Sequence, residues 1–420
     1  MDSSLGWSQI ARSDVAKATE LLKGSERGVR DEIGFLTLHQ GFSDRFFPGT
    51  SVLQTRLRYA LFVPWQIQDL ADQRVGSAPA SVRLQKAERE LVLRLKLGTS
   101  ANEDDDGGVI GIRSENFQPA QPPAYVYWTA LRLWGILDPV VEGVWPGRAE
   151  ILARIDGAGG LRDERDDETT HVRNDAFFFA LPERPRHWYR EGGAGLTPLN
   201  FQLPFNERKY LRDRLVSVRR GGAMRSDADS LLARLAAVKS PKFSWKDLDF
   251  DSDAVKQIAD AEDRDALAVA HAASSLTRIG RSVYGALIEY IAQKCDKRKA
   301  ENQLHKRLAE AVSKEKAIAL TCRLDEVAAL IGPLDPKFSA ALAETLIWLK
   351  GNTKDVADLW PAYKASEEAR KDSRARLPNT PRAAVLRAVW LAENARESDG
   401  LNYRWHRVSQ LLDDLHGGKS

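Results

Sequence analysis

Cysteine is nearly absent from this chain of 420 residues: two occur, Cys295 and Cys322, in no CxxC pair and with no histidine at zinc spacing. A disulfide-stapled scaffold and a thiolate metal site are therefore excluded as organising principles. Both thiols are read as reduced. Long apolar runs are missing too. No stretch of about 18 apolar residues occurs, so no membrane-spanning helix is expected. The opening residues Met1–Trp7 lack the basic and apolar regions of a secretory signal, and the expected location is the cytoplasm. Catalytic signatures are also lacking. There is no HExxH, no GxSxG, no phosphate loop ending in Lys-Ser/Thr and no GxGxxG behind a strand. Gly192-Gly193-Ala194-Gly195 has no strand–helix frame and reads as a loop. Seven histidines are scattered without a metal-binding pair. No metal and no cofactor are expected.

What is present describes a helical protein. The chain is 43% hydrophobic and has eleven tryptophans, enough to fill sizeable cores and to argue against extensive disorder. Charged residues make up 29%, as suits helices with charged outer faces. The net charge of +3 points only weakly to a polyanionic partner. The length suggests two or three domains.

Apolar periodicity predicts a first helix over residues 13–24 and a second carrying Leu36, Leu38, Phe42 and Phe46. Pro48-Gly49 stops the second, and a third is expected from Thr50 or Ser51 through Phe62, with a kink at Pro64. Ser81 opens a helix whose Arg and Glu residues, three and four apart, read as a solvated face. Val109–Ile112 reads as one short strand. Pro122-Pro123 precede an aromatic helix, and a shorter helix is expected over 148–155. From Asp156 the periodicity is lost in a glycine- and charge-rich stretch. These breaks suggest an N-terminal helical domain (1–155), a linker and irregular segment (156–205) and a C-terminal helical domain (206–420). The longest periodic segment, Asp265–Ile291, is apolar nearly all round, as in a buried central helix. Its small residues, Gly280 and Gly285 among them, would let another helix approach closely. The fold class is mainly α, with a helix-turn-helix or winged-helix-like N-terminal domain followed by a helical bundle.

Two stretches are candidates for contact with DNA or RNA. The first is Phe35–Phe62, two helices about a tight Pro-Gly-Thr turn. The second helix would present Gln54, Arg56 and Arg58 near its N-terminus, where such motifs meet the major groove and the phosphates. The alternative is an ordinary helical corner. There an inward-facing arginine would need an acidic partner such as Asp31 or Glu32. The second stretch is Arg208–Lys246, with Arg208, Arg212, Arg219 and Arg220 at its head and a marked excess of basic residues. The alternative is a solvated face balanced by acidic residues elsewhere. Tyr403–Arg407 interleaves aromatic and basic residues, and is read as docking a terminal helix rather than stacking bases. The acidic runs Asp104–Asp106 and Asp163–Glu168 look flexible. A two-metal nuclease needs rigidly held carboxylates, so a divergent nuclease is a lesser alternative.

One block has a family resemblance. Ser4-Leu5-Gly6-Trp7, Asp31-Glu32-Ile33-Gly34, Phe47-Pro48-Gly49-Thr50-Ser51, Thr55-Arg56-Leu57-Arg58-Tyr59 and Phe62-Val63-Pro64-Trp65, with Ile110-Gly111-Ile112, Tyr127-Trp128 and Trp134-Gly135, resemble an uncharacterised bacterial family, a domain of unknown function. The resemblance is expected to run on, more weakly, past Asp156. Members of that family are often encoded beside helicase-like or phospholipase-D-like genes in phage-defence clusters. The resemblance thus implies an accessory role and a helicase or nuclease partner. It carries over no activity and no catalytic residues. The expectation is a non-enzymatic, nucleic-acid-associated adaptor. A pure protein-interaction scaffold is the second possibility.

Overall fold

In the computed structural model, residues 31–417 are described, apart from 73–77, 100–105, 159–176, 179, 186–187, 189–195, 224–225, 300, 352–354 and 394–398. They form fifteen α-helices and no strand. In chain order these are α1 (Phe35–Phe46), α2 (Tyr59–Asp72), α3 (Ala80–Thr99), α4 (Pro123–Leu133), α5 (Arg148–Ala158), α6 (Phe205–Val216), α7 (Leu231–Ala237), α8 (Asp253–Ile258), α9 (Ala261–Lys294), α10 (Gln303–Ala319), α11 (Leu324–Ile331), α12 (Pro336–Lys350), α13 (Trp360–Lys371), α14 (Pro381–Glu393) and α15 (Trp405–His416). The mainly helical class is as expected. The predicted helix over 13–24 and the acidic run Asp163–Glu168 lie outside the described residues. Val109–Ile112 is a run of turns rather than a strand.

The chain divides into two compact units, each made of three stretches. One takes Met1–Thr37, Thr277–Lys316 and Asp335–Asp399; the other takes Leu38–Leu276, Ala317–Leu334 and Gly400–Ser420. In the first, Phe35 packs edge-on against Phe338, with ring centroids 5.6 Å apart. Phe35 also lies over Gly280, where a Cβ would stand 2.5 Å from the Phe35 ring. The close approach expected of the small residues on α9 therefore occurs at Gly280. At Gly285 a Cβ would meet its neighbours at ordinary van der Waals distance. The same unit pins the loop Arg376–Pro378 from two sides. The buried Glu367 accepts from the amides of Arg376 and Leu377, and Arg387 donates to the carbonyls of Arg376 and Pro378 while pairing with Asp296.

In the second unit, α2 is buried on every side over Tyr59–Ile67, with Pro64 inside it. The helix expected to open at Ser51 opens at Tyr59 instead, and side chains explain the delay. Gln54 accepts from the Ser51 amide and donates to the Gly49 carbonyl. The Tyr127 hydroxyl takes the amides of Thr55 and Arg56 and donates to the Arg56 carbonyl. Asp414 on α15 takes the Leu57 amide at 2.8 Å. The backbone groups a helix would use are already claimed. Gly49 has φ +82°, and a Cβ there would meet the Trp134 indole nitrogen at 2.6 Å, so the turn needs glycine. Tyr59, Phe62 and Trp65 join Trp188 and Phe201 in one aromatic cluster. Phe47 stands apart from them and packs on Phe46 and Trp405.

Candidate functional site

The basic residues singled out from the sequence do not converge on one open surface. Arg58 is 2% exposed. Its Nε and Nη2 each donate to one oxygen of Glu207 at 2.7 Å, and its Nη1 donates to the Asn200 carbonyl. Arg56 lies over the Phe201 ring, pairs with Asp414 at 2.9 Å and donates to the Gly107 carbonyl. The partners expected for an inward arginine here, Asp31 and Glu32, are not the ones used. Gln54 is fully buried in the turn it closes. Arg220, 4% exposed, meets Asp260, Glu262 and Asp263, and Arg45 meets the last two from the other side. Arg208 is half-buried and donates to the Leu203 carbonyl. Arg219 is exposed and paired with Asp229. Arg212 is half-buried, and its charge helps hold the His416 imidazole below its ordinary pKa, after burial, the larger cause. A guanidinium that already spends its donors on buried carboxylates cannot present them to a phosphate. Gln54, Arg58 and Arg220 therefore serve as internal fastenings. Tyr403–Arg407 does dock the last helix: the Tyr403 hydroxyl donates to the Ala270 carbonyl, and Arg404 reaches Asp44 and the Thr50 carbonyl.

An open recess lies elsewhere in the same unit, between α2 and α3. The two helices run back along each other. Arg83 of α3 reaches the Leu70 carbonyl of α2, while Arg94, further along, lies over Trp188, which stacks on Phe62 of α2. The cleft has a volume of about 710 Å³ and is lined chiefly by Gln66, Asp69, Arg83, Lys86, Glu90 and Trp188, with Asp72, Arg94 and Arg184. That volume is within the range of small-molecule sites. Its floor is rigid. Asp69 accepts from the Trp188 indole N–H at 2.8 Å and pairs with Arg184 at 2.9 Å. Burial raises the Asp69 pKa from its ordinary value, against the opposing pull of Trp188 and Arg184. Arg94 donates to the carbonyls of Trp188 and Thr197. At Gly98 the backbone of Leu199 comes so close that a Cβ would collide with it.

Among the described residues, two buried polar atoms of side chains that line the cleft have no hydrogen-bond partner. Gln66 is 5% exposed, and its Oε1 accepts no hydrogen bond. Arg83 Nε is likewise buried and unanswered, and its nearest carboxylate oxygen, on Asp156, is 3.8 Å from Nη2. Sequence reasoning missed this site. The spacing of Arg83, Lys86, Glu90 and Arg94 was legible, but as a solvated face. Nothing local shows that α2, Arg184 and Trp188 wall it in. Among the described residues no three His, Cys, Asp or Glu side chains are gathered as a metal ion would require, and no helix is long and apolar enough to cross a membrane.

Residues 3–142 match the model of a family of unknown function, DUF6361, in keeping with the resemblance carried by the Phe47–Trp65 block. The matched stretch contains α2 and α3, the two long walls of the cleft, and stops short of Arg184 and Trp188. No curated protein and no solved structure matches the chain.

Proposed function

We propose that this protein is a non-enzymatic accessory subunit that recognises its target by binding, with the α2–α3 cleft as its recognition site. The observation that carries the reading is the inward turn of Arg56, Arg58 and Arg220. It turns attention to the α2–α3 cleft, an open recess whose two long walls lie in the stretch that has the family resemblance. The company kept by members of the resembled family supports the accessory role. Co-expression with the helicase-like or phospholipase-D-like proteins to which that resemblance points, followed by size-exclusion chromatography, tests it. Co-elution is expected even at about 0.5 M salt, where exposed charges are screened beyond a few ångström. Separate elution of every such pair would sink the reading.

A second reading is contact with DNA or RNA. It is favoured by the basic residues of 206–246 that stay exposed: Lys209, Arg219, Lys239, Lys242 and Lys246. A winged-helix-like role for residues 1–155 belongs to it, although Gln54 and Arg58 are buried. Reversing the charge of Lys239, Lys242 and Lys246 together should abolish filter retention of nucleic acid and flatten its salt dependence. Unchanged retention would count against this surface.

A further inference from the structure

We infer that the α2–α3 cleft binds a small hydroxylated anion. Arg83 and Lys86 hold its phosphate or carboxylate, and Gln66 Oε1 accepts a hydrogen bond from one of its hydroxyls. The assignment rests on the recognition reading above and gives it a ligand class.

Gln66 is the first reason. A buried amide oxygen without a partner is costly, and Gln66, whose Oε1 has none among the described residues, is one of the side chains that line the cleft. A ligand O–H removes that cost. Asp69 lines the cleft one turn along the same helix. It offers further acceptor capacity on the same side.

Arg83 is the second. Among the described residues its Nε is unanswered, its Nη1 makes one long bond of 3.4 Å to the Leu70 carbonyl, and no carboxylate lies closer than the 3.8 Å of Asp156. Lys86 lines the cleft three residues on, so both cations share a helix face. The neighbouring charges are otherwise engaged. Arg184 answers Asp69 and Asp72, and Arg94 is spent on two carbonyls. Glu90 lies one turn beyond Lys86 and bars the anionic end from that part of the cleft.

Spacing sets the size of the ligand. Arg83 stands level with Leu70, and Gln66 is four residues back along α2, about 6 Å along the axis. A short phosphorylated or carboxylated polyol spans that distance. Trp188 offers no free face for a base, because Phe62 stacks on it, Trp65 meets it edge-on and Arg94 lies over it. The cleft therefore suits an aliphatic hydroxylated anion better than a nucleotide.

Isothermal titration calorimetry on the full chain tests the assignment. The arms are glycerol 3-phosphate, glucose 6-phosphate, gluconate, inorganic phosphate, acetate and glycerol. A hydroxylated phosphate or carboxylate should bind at least about tenfold more tightly than the bare anion or the neutral polyol, and the two headgroup arms identify which anion is preferred. Arg83→Gln and Gln66→Leu should each weaken that binding about tenfold or more. Lys86→Gln, on the exposed edge of α3, serves if Gln66→Leu does not fold. Absence of heat up to about 10 mM in every hydroxylated arm, where even a millimolar site would fill, overturns the inference. So does binding that none of the three substitutions alters. Ligand binding without any co-eluting partner would retire the accessory reading and leave this assignment intact.

Discussion

Arg58 donates to both oxygens of Glu207 in a site neither residue shares with solvent. Arg58→Ala leaves a desolvated carboxylate behind and should cost about 3–5 kcal/mol in urea unfolding. Arg58→Met with Glu207→Leu should recover most of that loss, because it removes both charges and keeps the volume. A double variant as unstable as the single one would show that the pair contributes more than charge balance. Glu88 makes a second residue-scale claim. It is buried on α3, accepts from the Ala124 amide at the start of α4, and burial raises its pKa to about 7 from 4.5. The folded chain therefore holds this proton more tightly than the unfolded chain does. The stabilisation is complete below pH 4.5 and is lost as the pH rises through 7. Thermal unfolding followed from pH 4.5 to 8 should show stability falling by up to about 3 kcal/mol from this group. Burial raises the pKa of Asp69, Asp263 and Asp414 as well, so they add to the same slope. Glu88→Gln keeps the acceptor and should flatten the curve; an unchanged slope would mean that other groups set it.

At the scale of elements, the sequence showed helices well and their starting points less well. Apolar spacing gave α1 and α9 to within a few residues, because their apolar positions recur at helical intervals. It failed at α2. There Gln54, Tyr127 and Asp414 capture amides that a helix would otherwise use, and two of the three come from far along the chain. Tyr127→Phe should free the Thr55 and Arg56 amides, speed their hydrogen exchange and cost about 1–2 kcal/mol. Exchange as slow as in the parent would show that another group protects them. The same limitation hid the cleft. The charged face of α3 was readable, but whether it meets water or a wall of Trp188 and Arg184 depends on contacts about a hundred residues apart, such as Arg94 with Trp188.

At the scale of the molecule, each unit is sewn together from three separate stretches, so composition breaks along the chain do not display the division. Residues 1–155 supply α2 and α3 but neither Glu207, Asp414, Phe201 nor Trp188. Expressed alone, they should therefore show exposed hydrophobic surface and rapid amide exchange throughout α2. A cooperatively folded fragment with slow exchange would show that these residues form a self-sufficient domain. The arginines that looked like a nucleic-acid surface are explained at this scale too. Their spacing was visible, but their acidic partners lie far away in sequence: 149 residues on for Arg58 and 358 for Arg56.

The contact between Arg56 and Asp414 also bears on synthesis. At roughly 5–20 residues per second, a ribosome that has just added Arg56 needs about 20–70 s to reach Asp414. Throughout that interval the Leu57 amide and the Arg56 guanidinium lack their native acceptor. Until then the corner between α1 and α2 cannot reach its final bonding, so its closure waits for nearly the whole chain.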